Sequence, residues 1–157
     1  MQVDYANLSE EAKVYIYPSS RKFYDTEIEN LHKKINTFLD SVFTDYTLNY
    51  KILYNRFIIL FISEEKPISI ELLDKLAMFI LSLETDYKIT LLDKVNICFK
   101  QGEFVQYQEM KRFRELIKKR SISKKTILFN NLVQNKHEFE NHFEVPAAES
   151  WLSYLFK

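Results

Sequence analysis

Residues 48–62 read LNYKILYNRFIILFI. The run is dominated by aromatic and branched apolar residues, the composition of a strand. It reads as two strands, or as one bent strand, with Asn55-Arg56 at the break. That interruption decides the fold class, because an uninterrupted apolar run has no reason to turn. A guanidinium planted between two β runs has three options: it exits to solvent, pairs with an acid, or binds an anion.

Upstream, AKVYIY at 12–17 reads as a first strand, stopped by Pro18 and Ser19-Ser20. Thr26 and Glu29 have capping-box spacing, with the hydroxyl facing the amide of residue 29. Ile28, Leu31, Ile35, Phe38, Leu39 and Val42 then recur on one face of a helix ending near Thr44. Downstream, Ser69 is the expected N-cap of a second helix, and Glu71 suits its first turn. Leu72, Leu73, Leu76, Ala77, Phe79, Ile80 and Leu83 make that helix apolar on most sides, so it is expected to be the most buried. Glu64-Glu65 before it read as a solvated turn.

KVNICFKQGEFVQYQ at 94–108 reads as a hairpin with the lone glycine, Gly102, at its tip. Met110, Phe113, Leu116 and Ile117 mark a short helix. TILFNNLV at 126–133 reads as the last strand, and Pro146 as the first turn of a C-terminal helix. Ala147, Ala148, Trp151, Leu152, Leu155 and Phe156 form the apolar face of that helix, which makes Trp151 a core residue. Hairpins mixed with helices predict an α+β fold: a single domain over 1–157, its mostly antiparallel sheet packed with three to four helices.

Composition bounds function. The 157 residues are 46% hydrophobic, with 13 Phe and 10 Tyr, so a core is easily filled. One cysteine, Cys98, excludes an internal disulfide, and a reducing, cytoplasmic setting is expected. The first twenty residues lack a basic start followed by an apolar core, so no signal peptide is expected, and no apolar run is long enough for a membrane span. A single glycine cannot build a phosphate-binding loop or a dinucleotide fingerprint, which excludes a P-loop ATPase. His137 and His142 in HEFENH are five residues apart, about 140° around a helix. Zinc-protease histidines must share one face, so no metal and no cofactor are expected. Cys98 alternates with Ile97 and Phe99 on a strand and reads as a small structural residue.

Net charge is zero but unevenly placed. Residues 1–110 carry −5, residues 111–125 carry +7, and residues 126–157 carry −2. The basic island contains Lys111, Arg112, Arg114, Lys118, Lys119 and Arg120, followed by Lys124 and Lys125. It reads as the solvated surround of a narrow apolar stripe, or as a nucleic-acid contact.

Adjacent residues in a strand face opposite sides. If Phe129 and Asn131 share one face, Asn130 lies with Leu128 and Leu132 on the other, and one amide is half-buried. A buried amide needs partners, supplied by a bulge or strand end, or by a ligand.

Four segments, LYNRFIIL, ISIE before a helix, TILFNNLV and EVPAAESW, together resemble a family of short uncharacterised bacterial proteins, from about residue 12 onward. Members often carry the label "ABC transporter ATPase", which the missing Walker A loop and ABC signature contradict in this chain. The matching positions are Arg21, Tyr54, Asn55, Arg56, Phe57, Ser69, Phe129, Asn130, Asn131, Leu132, Val133, Lys136, Pro146, Ala147, Ser150 and Trp151. The family pattern has a Cys where this chain has Ile68, and a Trp and a His-Gly where it reads SVFTDYTLNY. The resemblance therefore implies relatives and no mechanism.

The leading expectation is a non-catalytic binding or interaction module, with a protein or small-molecule partner held by Asn55, Arg56, Asn130, Asn131 and Trp151. One alternative is a small hydrolase or transferase pairing Arg56 with an acid such as Glu71 or Glu149. Another is nucleic-acid binding through 111–125.

Overall fold

The computed structural model describes every residue except 64. The Glu64 half of the expected Glu64-Glu65 turn therefore lies outside the described residues, while Glu65 is exposed. The 48–62 run forms two antiparallel strands, β2 (Leu48–Leu53) and β3 (Phe57–Ile62), paired so that Leu53 faces Phe57. Tyr54 and Asn55 both take positive φ, 56° and 50°, and Arg56 N–H donates to the Leu53 carbonyl at 2.9 Å. This is the φ pattern of a type I′ turn, which suits the twist of a hairpin. The first strand, β1 (Lys13–Pro18), pairs with the free side of β3, giving the order β1-β3-β2. Pro18 lies at the end of an outer strand, where its missing N–H costs no ladder bond.

All six residues of β3 are buried. Ile58, Leu60 and Ile62 pack against two helices, α1 (Asp25–Val42) and α2 (Ile70–Tyr87). Phe57, Ile59 and Phe61 point the other way, onto residues of a second sheet. That sheet has the order β5-β4-β6-β7, from β4 (Ile97–Gln101), β5 (Phe104–Gln108), β6 (Ile127–Phe129) and β7 (Glu144–Pro146). Cys98 and Phe129 face the first sheet, whereas Ile97, Phe99 and Leu128 face outward onto α3 (Met110–Lys118) and residues 147–156. The short helix α4 (Lys136–His142) packs Phe139 against Phe61. The fold is α+β and antiparallel, with two stacked sheets between helical layers. Period-two alternation in β3, β4 and β6 places these layers, because each strand is apolar on both faces. Among the described residues no helix is long and apolar enough to cross a membrane.

Local chemistry explains several termini. Ser69 Oγ accepts from Leu72 N–H at 3.1 Å, as expected for an N-cap. Gly102 takes φ 63° at its hairpin tip. The start of α1 differs from expectation: the cap is Tyr24, and the Glu27 carboxylate, rather than Glu29, accepts from the Tyr24 N–H at 2.8 Å. Arg21 selects this register by gripping both Glu27 oxygens, at 2.9 and 3.1 Å. The resulting fork holds the Glu27 carboxyl below its usual pKa.

Several further expectations are corrected. Helix α2 buries Leu76, Ile80, Leu83 and Tyr87, more than any other helix among the described residues, but it is not covered on most sides: Ile70, Leu73, Met78 and Leu81 are exposed, because its apolar residues exceed the stripe that α1 and the sheet can cover. The strand expected over 126–133 stops at Phe129, where Asn130 Oδ1 accepts from Leu132 N–H at 3.0 Å and turns the chain. It is also not the last strand. Pro146 ends β7, and residues 147–156 form two 3-10 turns instead of an α-helix. Trp151 leaves the apolar face there and is exposed, while Leu152 takes the buried place.

The C-terminal ends of α2 and α3 use residues other than glycine in the left-handed region. Lys88 closes α2 at φ 54° and ψ 53°, and Arg120 follows α3 at φ 61°. A side chain makes that conformation cost about 1–2 kcal/mol. Lys88→Gly is expected to stabilise the protein by about 1 kcal/mol, raising the melting midpoint by roughly 2–4 °C. Lys88→Val is expected to shift it downward, and thermal melts of the pair check the sign.

Candidate functional site

The hairpin turn carries Arg56 inward, beneath a cleft of about 460 Å³. Lys22, Tyr54, Asn55 and Arg56 line one wall, and Glu103, Phe104, Val105 and Gln106, from the β4–β5 hairpin, line the other. Arg56 Nη1 donates to the Ser19 carbonyl at 3.0 Å, while the Arg56 carbonyl accepts from Ser19 N–H at 2.9 Å. These reciprocal bonds fix the side chain where β1 ends. No carboxylate among the described residues forms an ion pair with this half-buried guanidinium. Burial pulls its pKa below the ordinary arginine value, and its electrostatic neighbours are Cys98 and Tyr107. A desolvated cation with spare donors and no anion is costly unless a ligand supplies the charge.

Asn55 sits at the rim. Its carbonyl accepts from Phe23 N–H at 2.7 Å, and its amide donates to Asp25 Oδ1 at 3.3 Å. Tyr54 O–H donates to Glu144 at 2.8 Å, and Lys100 holds the other Glu144 oxygen at 2.6 Å. Lys100 also lies 5.0 Å from the Tyr54 ring centroid. This clamp ties the turn of the first sheet to β4 and β7 of the second.

Asn130, Asn131 and Trp151 do not share that cleft. They border a small recess of about 60 Å³ with Lys94, Asn96, Met110 and Leu132. The five proposed contact residues thus separate into two groups, which β4 divides. Asn130 serves the backbone, both through Leu132 and through its own N–H to the Phe143 carbonyl at 2.7 Å. Asn131 is the buried amide: it is 7% exposed, reaches Cys98, and leaves Oδ1 without a partner among the described residues.

Cys98 lies between these groups, fully buried. Burial pushes its thiol up to about 11, against the opposing pull of Arg56. A thiol with that pKa stays protonated at neutral pH and is a poor nucleophile. His137 and His142 fall at opposite ends of α4, and His137 faces Glu10 at 3.8 Å. Neither Glu71 nor Glu149, the acids considered for Arg56, lines its cleft; Glu71 pairs with Lys75 at 3.5 Å. The carboxylate among the lining residues is Glu103, which chain position alone could not bring to Arg56.

Two features escaped sequence reasoning. Lys22 joins Arg56 only because the Arg21 fork fixes residues 21–27 beside the hairpin turn. Lys136 is 5% exposed, and its ammonium donates to the Tyr5 and Leu8 carbonyls at 2.9 and 2.8 Å. No local pattern marks a lysine for burial; only its place in the family resemblance singled it out. In the basic segment, Phe113 is fully buried beneath the charged residues, and Arg112 pairs with Glu115 at 3.2 Å.

No protein-family model, curated protein or solved structure matches this chain.

Proposed function

We propose that this protein is a non-catalytic binding module that holds an anionic group, a carboxylate or a phosphate, in the cleft lined by Arg56 and Lys22. One observation carries the reading: the Arg56 guanidinium is half-buried, has one carbonyl acceptor, and has no carboxylate partner among the described residues. The planar fork offers two parallel N–H bonds to either anion, and Lys22 adds charge at the mouth. Asn55 and Gln106 supply neutral polar contacts, and exposed Phe104 covers an apolar part of the ligand. Binding of this kind is chemically sufficient without a nucleophile or an acid–base pair.

Thermal melts in inorganic phosphate or acetate, at constant ionic strength, test the reading. Saturating anion is expected to raise the midpoint, since a ligand at about 100 times its Kd adds ~2.7 kcal/mol. Arg56→Gln is expected to weaken the apparent affinity about 10- to 100-fold, because bonds to a charged group contribute roughly 1.5–3 kcal/mol. Lys22→Ala should have a smaller effect. Equal anion responses in wild type and Arg56→Gln would defeat the proposal.

A further inference from the structure

From the far side of the second sheet, we infer that α3, the turn after it and the exposed aromatics of residues 150–156 form a binding face for single-stranded nucleic acid. The inference is independent of the Arg56 cleft. It starts from charge. Lys111, Arg114, Lys118, Lys119 and Arg120 are exposed, as are Lys124 and Lys125. Among the described residues no carboxylate forms an ion pair with any of these seven; the pairing in this segment is Arg112 with Glu115. Seven neighbouring cations without counter-charges repel one another, and a polyanion relieves that repulsion while releasing its own counterions.

Fold geometry keeps these cations at the surface. Phe113 is fully buried against Phe99, with ring centroids 5.5 Å apart, so the helix is anchored by its apolar stripe and cannot turn its charges inward. Beyond the helix, the chain reverses through Arg120. Ser121 N–H donates to the Leu116 carbonyl at 2.9 Å, holding Lys118–Arg120 at one end of α3. Cations at a helix C-terminus also gain from the backbone dipole, which supports the charge cluster but does not neutralise it.

The second observation is aromatic. Residues 147–156 pack their apolar side on α3 through Leu152, Leu155 and Phe156. They are joined to the basic turn by Ala148 N–H to the Lys124 carbonyl, 3.0 Å, and by Ala147 N–H to the Thr126 carbonyl, 2.8 Å. From this abutting segment Trp151 and Tyr154 remain 45% and 52% exposed. Trp151 further borders the recess shared by Met110, the first residue of α3, and Lys94. Large exposed rings set against a basic surface are the arrangement that stacks unpaired bases while cations follow the backbone. A duplex hides its base faces and would leave the rings unused, and an acidic polypeptide has no bases to stack.

The chain has one tryptophan, so emission excited on the red edge of indole absorption, where its 10 Tyr do not absorb, reports on Trp151. Titration with an oligothymidylate of ~20 nucleotides is expected to quench that emission. If about five cations touch phosphates, the affinity falls roughly 100-fold between about 50 and 200 mM salt, from a slope of about −0.7 per contact. Lys118→Gln with Lys119→Gln should reduce the slope by about 1.4. By anisotropy of a labelled oligonucleotide, Trp151→Ala should weaken binding roughly 5- to 100-fold. Tight binding to the single strand, with a weaker duplex and no competition from polyglutamate, supports the inference. Absence of binding at low salt overturns it, as do equal affinity for duplex or polyglutamate and binding without quenching.

Discussion

Lys136→Ala is expected to lower stability by about 3 kcal/mol, the sum of lost charge-assisted bonds and of acceptors left buried. The ammonium holds residues 5–8 against the first sheet by bonding the Tyr5 and Leu8 carbonyls, and it lies 4.3 Å from the Tyr5 ring centroid. Backbone bonds tie the same segment to β1 and the residue before it: Lys136 N–H to the Ala12 carbonyl at 2.9 Å, and Val14 N–H to the Gln134 carbonyl at 3.0 Å. Those bonds survive the substitution, so the loss isolates the side chain. Lys136→Met restores volume but no donor, and is expected to recover less than half of the loss. Urea melts read the effect as a midpoint lower by about 1–2 M, taking a slope of about 2 kcal/mol per M. A change under about 1 kcal/mol would mean that solvent reaches the two carbonyls as readily as the lysine does.

Phe57→Ala should cost about 3–5 kcal/mol, the range for removing a fully packed ring from a core. Phe57 is fully buried and touches three rings: Tyr54 at 6.4 Å, Phe129 at 4.8 Å and Phe143 at 5.3 Å between centroids. The cavity would open between the two sheets, where neither is free to collapse because each is held on its other face. Phe129→Ala enters the same cluster, so the double variant should lose less than the sum of the singles. Met78→Ser, at a residue 70% exposed on α2, provides the contrast and should change stability by no more than about 0.5 kcal/mol. Comparable losses at Phe57 and Met78 would contradict the layer assignment.

What could be read from the residues was local chemistry. The Ser69 cap, the Gly102 tip and the break at Asn55-Arg56 follow from side chains acting within a few positions of themselves. The bare side of helix α2 was not legible, because apolar residues on two faces look alike whether the second face is covered or exposed. The split into two sheets depends on β4 pairing with β6 across the whole of α3, a choice made by long-range packing. At 126–133 the signal was present: an Asn side chain turning back to the amide two residues on ends a strand. Trp151 was misplaced because its spacing fits an α-helix, whereas residues 147–156 adopt the tighter 3-10 form. Arg56 was legible as a problem, a cation between two apolar runs. Its cleft was not, since Lys22 and residues 103–106 arrive from distant parts of the chain.

The doubly covered strand β3 has an implication for how this molecule comes apart. Its two neighbours in the sheet both precede it in sequence, one of them through α1, and its two faces answer to different layers. Peeling away either layer would expose half of a six-residue apolar ribbon, so partial dismantling has little to recommend it over complete collapse of order. The seam between the sheets, and not a hinge at any loop, is then the place where heat, denaturant and proteases must succeed together or fail together.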